Sequence, residues 1–196
     1  MLKRLFLPFI FAALLGSLSV SDALACSQGG QCTGFGGCNF TQYLYNFDFS
    51  EGCAWSYTGG TSVTASGGTQ MCNLFPSYLT LGYNGGAGAF AWQFVTIPTS
   101  QTGTHWTLGF NLEAQPTSGS SPGLDTFFVR VYDVTTASDL VVTSAIAANS
   151  SPSCRLYTAS FTGDLHGHQI EVLTIANVVH ADAHFYVTSV SLDGGP

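Results

Sequence analysis

The sequence predicts an all-β fold, a two-sheet β-sandwich of the jelly-roll kind preceded by a Gly/Cys-rich N-terminal arm. Three observations carry that prediction. From about residue 43 onward, short aromatic and β-branched runs alternate with Gly, Ser, Asn and Asp clusters at intervals suited to strands and turns. Two of these runs have a period of two: Trp106, Leu108, Phe110 and Leu112 alternate with Thr107, Gly109, Asn111 and Glu113, and Phe127, Val129 and Val131 alternate with Thr126, Phe128, Arg130 and Tyr132. No amphipathic helix competes, and no internal repeat points to a propeller or solenoid. About ten half-buried strands in one domain imply two packed sheets.

Taken in chain order, residues 1–25 read as a signal peptide. Lys3 and Arg4 form a basic start, residues 5–20 an apolar core, and Ala23-Leu24-Ala25 a small-residue cleavage site. The apolar run is shorter than the roughly 20 residues a spanning helix needs, and no later stretch could cross a bilayer. A Gly/Cys-rich arm follows over 26–42, and the β-sandwich domain occupies 43–196. Strands are expected near 44–49, 54–58, 61–66, 77–83, 88–97, 104–113, 126–134, 139–146, 155–162, 169–178 and 184–192.

After cleavage the chain would keep two arginines, Arg130 and Arg155, no lysine and ten carboxylates. That balance excludes a basic nucleic-acid footprint and disfavours anionic membranes or sulfated glycans, leaving neutral polymers and cations as easier partners. All six cysteines, Cys26, Cys32, Cys38, Cys53, Cys72 and Cys154, would survive, and an even count in an oxidising compartment reads as three disulfides of undetermined pairing. Structural zinc usually brings C-x2-4-C pairs, which are absent. Cleavage after Ala25 makes Cys26 the first mature residue, so two localisations stand side by side: release to the exterior, or a lipid anchor through Cys26. Asp22 fits a lipobox poorly and lipidation would strand five cysteines, which favours a secreted, extracellular protein.

Several segments together carry a family resemblance. Asn46-Phe47-Asp48-Phe49-Ser50-Glu51-Gly52 ahead of Trp55, then Gln93-Phe94-Val95-Thr96-Ile97-Pro98, resemble the opening and a middle strand of secreted bacterial jelly-roll modules of the galactose-binding-like class, including CenC-type carbohydrate-binding modules. The Asp125-Thr126 to Val131 strand and a closing Phe185 to Leu192 strand follow in the same order, so the resemblance covers roughly 46–192. It implies the jelly-roll fold and raises the expectation of a neutral polysaccharide or glycan as ligand. Where those modules place an Asp pair and a Glu that help hold calcium, this chain has Thr188-Ser189 and a Glu51 displaced by one residue, so no metal or other cofactor is expected.

Histidines form two groups, His166-Gly167-His168 and His180-Ala181-Asp182-Ala183-His184. The strand expected between them separates its ends by roughly 30 Å, so one mononuclear site cannot use both. The first group reads as a plain turn and the second as a solvated loop or a weak transition-metal site. Catalysis has little support: only Glu51, Glu113 and Glu171 stand beside seven mature-chain Asp, no G-x-S-x-G motif occurs, and Lys chemistry is excluded. Glycan binding needs flat aromatic faces with polar groups beside them. The candidate ligand-binding residues are Trp55 and Tyr57, on a strand flanked by glycines, together with Trp92, Arg130 and Tyr132; Trp106 reads as core. The expected function is a secreted, non-catalytic carbohydrate-binding jelly roll. The alternatives are a disulfide-stabilised surface or matrix protein without a small ligand and, third, a secreted glycan-active enzyme.

Overall fold

The computed structural model describes residues 41–45, 48–50, 54–58, 60–64, 77–82, 87–115, 124–151, 153–180 and 182–195. The segment read as a signal peptide, the expected arm up to residue 40 and all cysteines except Cys154 lie outside the described residues. Cys154 is disulfide-bonded.

The described residues form β1 (Thr41–Gln42), β2 (Ser56–Thr58), β3 (Thr61–Thr64), β4 (Tyr78–Leu81), β5 (Ala87–Thr96), β6 (His105–Gln115), β7 (Thr126–Asp133), β8 (Ser138–Val142), β9 (Ile146–Ala147), β10 (Arg155–Thr162), β11 (Gln169–Asn177) and β12 (His184–Gly195), with a 3-10 turn at Ala148–Ser150. One antiparallel sheet runs β10-β6-β12-β4-β3, with β1 added to β12. The other runs β2-β5-β11-β7-β8, with β9 on β7. This is the two-sheet sandwich expected from the alternation.

Period-two burial follows the pleat. In β7 every second residue from Phe127 to Asp133 is buried, and in β6 Trp106, Leu108, Phe110, Leu112 and Ala114 face inward. Phe110 packs on Phe127 at 5.6 Å and Phe127 on Phe185 at 5.7 Å, so aromatic rings bridge the two sheets at the centre of the core. Trp106, fully buried as expected, lies between Tyr43 at 5.5 Å and Phe161 at 6.4 Å, and its Nε1 donates to the Gly163 carbonyl at 2.9 Å.

Two expected strands are corrected. The described residues of the run 44–49 form no strand: Tyr45 makes an isolated bridge, and Phe49 turns the chain at a φ of 60°. Side-chain amides replace a ladder there. Gln42 Oε1 accepts from Leu44 and Leu192 N–H, and Gln93 accepts from Tyr45 N–H while donating to its carbonyl. The run 139–146 splits into β8 and β9, because Thr143 leaves the pleat and binds Val129 through its own N–H and Oγ1.

Candidate functional site

The site is the outer face of the β2-β5-β11-β7-β8 sheet. Register assembles it in rungs, because residues opposite each other across antiparallel strands share a face. One rung reads Ser56, Trp92, Leu173, Arg130, Val142. The next reads Phe94, Glu171, Tyr132, Asp139, and a third carries Phe90, Ile175 and Phe128. Phe94 on β5 is 45% and Val142 on β8 51% exposed, with the half-buried Leu173 and Phe128 on the strands between them.

Arg130 is the polar centre of this face. Its guanidinium carbon sits 4.2 Å from the centroid of the Tyr132 ring, and its Nε is ion-paired with Asp139 Oδ1. The pair fixes a flat guanidinium on an aromatic face while leaving the two terminal nitrogens and their N–H donors outside that bond. Glu171, half-buried between Phe94 and Tyr132 in register, completes the cluster. Burial pushes its carboxyl up from the ordinary glutamate value, and the charge of Arg130 partly offsets that rise.

Two Asp–His clasps hold the strands beneath the face. Asp133, at the end of β7, accepts from the Thr135 and Thr136 N–H groups, from Thr136 Oγ1 at 2.6 Å and meets His168 Nδ1 at 2.8 Å. Asp125, just ahead of β7, accepts from Val179 and His180 N–H and meets His180 Nδ1 at 2.7 Å. Burial alone would raise both carboxyl pKa values. Hydrogen bonds from Thr136 and His168 at Asp133, and from the His180 backbone and side chain and the Val179 backbone at Asp125, outweigh burial and hold both below the ordinary value. His168 and His180, expected as plain turn and solvated loop, are therefore fixed at the two ends of β11.

Of the five sequence-predicted ligand residues, Trp92, Arg130 and Tyr132 come together on this face. Tyr57 and Trp55 do not join them. Tyr57 is 50% exposed but registers with the core residue Ala91, on the other side of β2 from Trp92. Trp55 is 7% exposed and packs on Phe49 at 5.3 Å, so its ring faces protein rather than solvent. Sequence reasoning missed Phe94, Leu173, Val142, Glu171 and Asp139; the i, i+2 spacing of Trp92 and Phe94 was the one local signal. Glu113 alternates with core residues of β6 and so lies on the outer face of the opposite sheet from Glu171. Among the described residues, no group of three His, Cys, Asp or Glu side chains could share a metal ion.

No family model matches the chain, and no curated protein matches it. Solved structures do. TmCBM61 in complex with beta-1,4-galactotriose aligns at a TM-score of 0.55 and 13% identity over 77% of this chain and 97% of that one. The CBM22-1–GH10 modules of an endo-1,4-beta-D-xylanase from Clostridium thermocellum, complexed with xylohexaose, align at 0.51 and 13% identity, covering 80% of this chain and 28% of that one. The Stig cyclase Fisc from Fischerella sp. TAU, bound to an indole, aligns at 0.55 and 12% identity over 80% and 98%. The fold is thus that of the jelly-roll carbohydrate-binding modules, as the sequence motifs implied. A cyclase with the same fold leaves function to the site.

Proposed function

We propose that this protein is an extracellular, non-catalytic carbohydrate-binding module that holds a neutral polysaccharide on the outer face of the β5, β11 and β7 strands. The observation carrying this reading is the convergence of Trp92, Arg130 and Tyr132 on adjacent rungs of one exposed sheet face. Trp92 and Phe94 offer ring surfaces for the C–H faces of sugars, and the stacked Arg130 with Asp139 and Glu171 offers donors and acceptors for hydroxyl groups. Trp92 and Arg130 stand two strands apart, about 10 Å along the rung, a span suited to a short oligosaccharide. One arginine among two carboxylates favours neutral over acidic sugars. The separation of Glu113 and Glu171 on opposite sheets denies those two the pairing a glycosidase needs. The signal-like 1–25 segment supports action outside the cell.

The test is affinity for neutral polysaccharides on a glycan array and by insoluble-polymer pull-down, with wild type against Trp92→Ala and Arg130→Ala. Truncating a central aromatic or arginine contact costs about 1–2 kcal/mol or more, roughly a 5- to 30-fold loss, and both variants keep the wild-type circular dichroism spectrum because the two half-buried groups lie on the outer face and not in the core. Wild type binding no neutral glycan, or W92A and R130A binding as wild type does, overturns the proposal.

A further inference from the structure

The geometry points to β10 as a self-association edge: two copies pair their β10 strands antiparallel about a two-fold axis through Ala159, joining their β10-β6-β12-β4-β3 sheets into one. Among the described residues no strand pairs with the outer side of β10, which ends its sheet. Free edges are normally blunted by lysine, proline, inward charge or a bulge. This one has none of these. Its eight residues, RLYTASFT, carry one charge, Arg155 at the first position, and pair with β6 from Arg155↔Leu112 to Thr162↔His105 without a break in register.

The inner side of the edge is also unfinished. Tyr157 stacks on Phe110 at 5.3 Å and Phe161 on Trp106 at 6.4 Å, both nearly parallel, yet Tyr157 and Phe161 remain only half-buried. A cleft of about 390 Å³ runs beside Tyr157 and Val142, and another of about 430 Å³ beside Phe161 and His105. Both lie along β10, where a neighbouring strand would bring side chains.

Register selects the occupant. Residues opposed across antiparallel strands share a face only when the pairing keeps odd positions against odd and even against even. Centring on Ala159 sets Tyr157 against Phe161 of the partner subunit, twice by symmetry, with the alanines between them. The outer face then pairs Thr158 with Ser160 of the partner subunit, hydroxyl to hydroxyl, and both Arg155 side chains fall at the ends. Centring on Thr158 instead opposes Arg155 to an aromatic ring and loses both ring pairs. An isologous contact of this kind closes as a dimer and does not propagate. Its axis, normal to the sheet, would leave both proposed glycan faces on one side of the dimer.

Sedimentation of the full chain tests this without any glycan, so its failure is separable from failure of the binding proposal. Wild type sediments as a dimer at tens of micromolar. T158K/S160K, two changes at exposed positions, sediments as a monomer with its circular dichroism spectrum unchanged, since both central outer-face rungs then oppose lysines. Ala159→Cys crosslinks two chains on a non-reducing gel, because facing Cα atoms about 4.5–5.5 Å apart suit a disulfide. Wild type sedimenting as a monomer, a dimer that survives T158K/S160K, or absence of an A159C crosslink overturns the inference.

Discussion

Replacing Asp133 tests whether the clasps hold the binding face together. The carboxylate is 2% exposed and receives three hydrogen bonds from the turn after β7 in addition to His168. Hydrogen bonds to a charged group contribute about 1.5–3 kcal/mol each, but they are not additive, and the exposed Thr135 and Thr136 groups recover solvation once freed. Asp133→Ala is therefore expected to cost about 3 kcal/mol, a fall of roughly 6–12 °C in melting temperature for a domain of this size. Asp133→Asn keeps the oxygen that accepts from Thr135 and Thr136 and loses the other, so it costs about half as much. Because the folded carboxyl is held below its ordinary pKa, its stabilisation is complete above about pH 4 and is lost as pH falls through the folded value. Thermal melts by circular dichroism from pH 3 to pH 7 should show the wild-type advantage shrink toward the acid end. A D133A melt within 2 °C of wild type at pH 7, or an advantage that does not shrink in acid, refutes the reasoning.

Three further expectations use the same melts. Gly194→Ala would put a Cβ 2.5 Å from the Trp106 ring, which its bond to Gly163 and its neighbouring rings hold in place, and should cost about 2 kcal/mol of stability. Trp55→Ala removes a buried ring and should destabilise by about 3–5 kcal/mol; a selective loss of glycan affinity with an unchanged melt would return Trp55 to the site. Glu171→Gln should raise the melting temperature at pH 7 to 8. A carboxyl whose folded pKa is raised by burial weakens the fold once ionised, and the difference should vanish below about pH 4.

What the sequence revealed followed the range of each signal. Strands with clean alternation lay close to expectation: 155–162 is β10 as observed, and 169–178, 88–97 and 104–113 became β11, β5 and β6 with ends shifted by one or two residues. Alternation also places Arg130 and Tyr132 outward, which is local information. Which strand lies beside which is not local. The rung that brings Trp92 to Leu173 and Arg130 needs β11 between β5 and β7, a pairing across about 40 to 80 residues that no short pattern encodes. Flanking glycines drew attention to Trp55 and Tyr57, but Phe49 claims the first and the pleat of β2 turns the second away. The Asp–His clasps escaped for the same reason, since Asp125 and Asp133 bracket β7 while His168 and His180 bracket β11, and only the antiparallel pairing of those strands brings them together.

The place of β12 sets an order of assembly. It lies between β6 and β4 and also carries β1, yet it is made after every other described strand. Until residues 184–195 exist, the β6–β10 and β3–β4 pairs have nothing to join them, and Thr41 must wait for Gly194. A sheet whose middle is synthesised after both of its flanks closes late, and its distant pairings make that closure slow. Up to that point the two flanks behave as separate strand pairs, each with an unpaired edge waiting for the same strand.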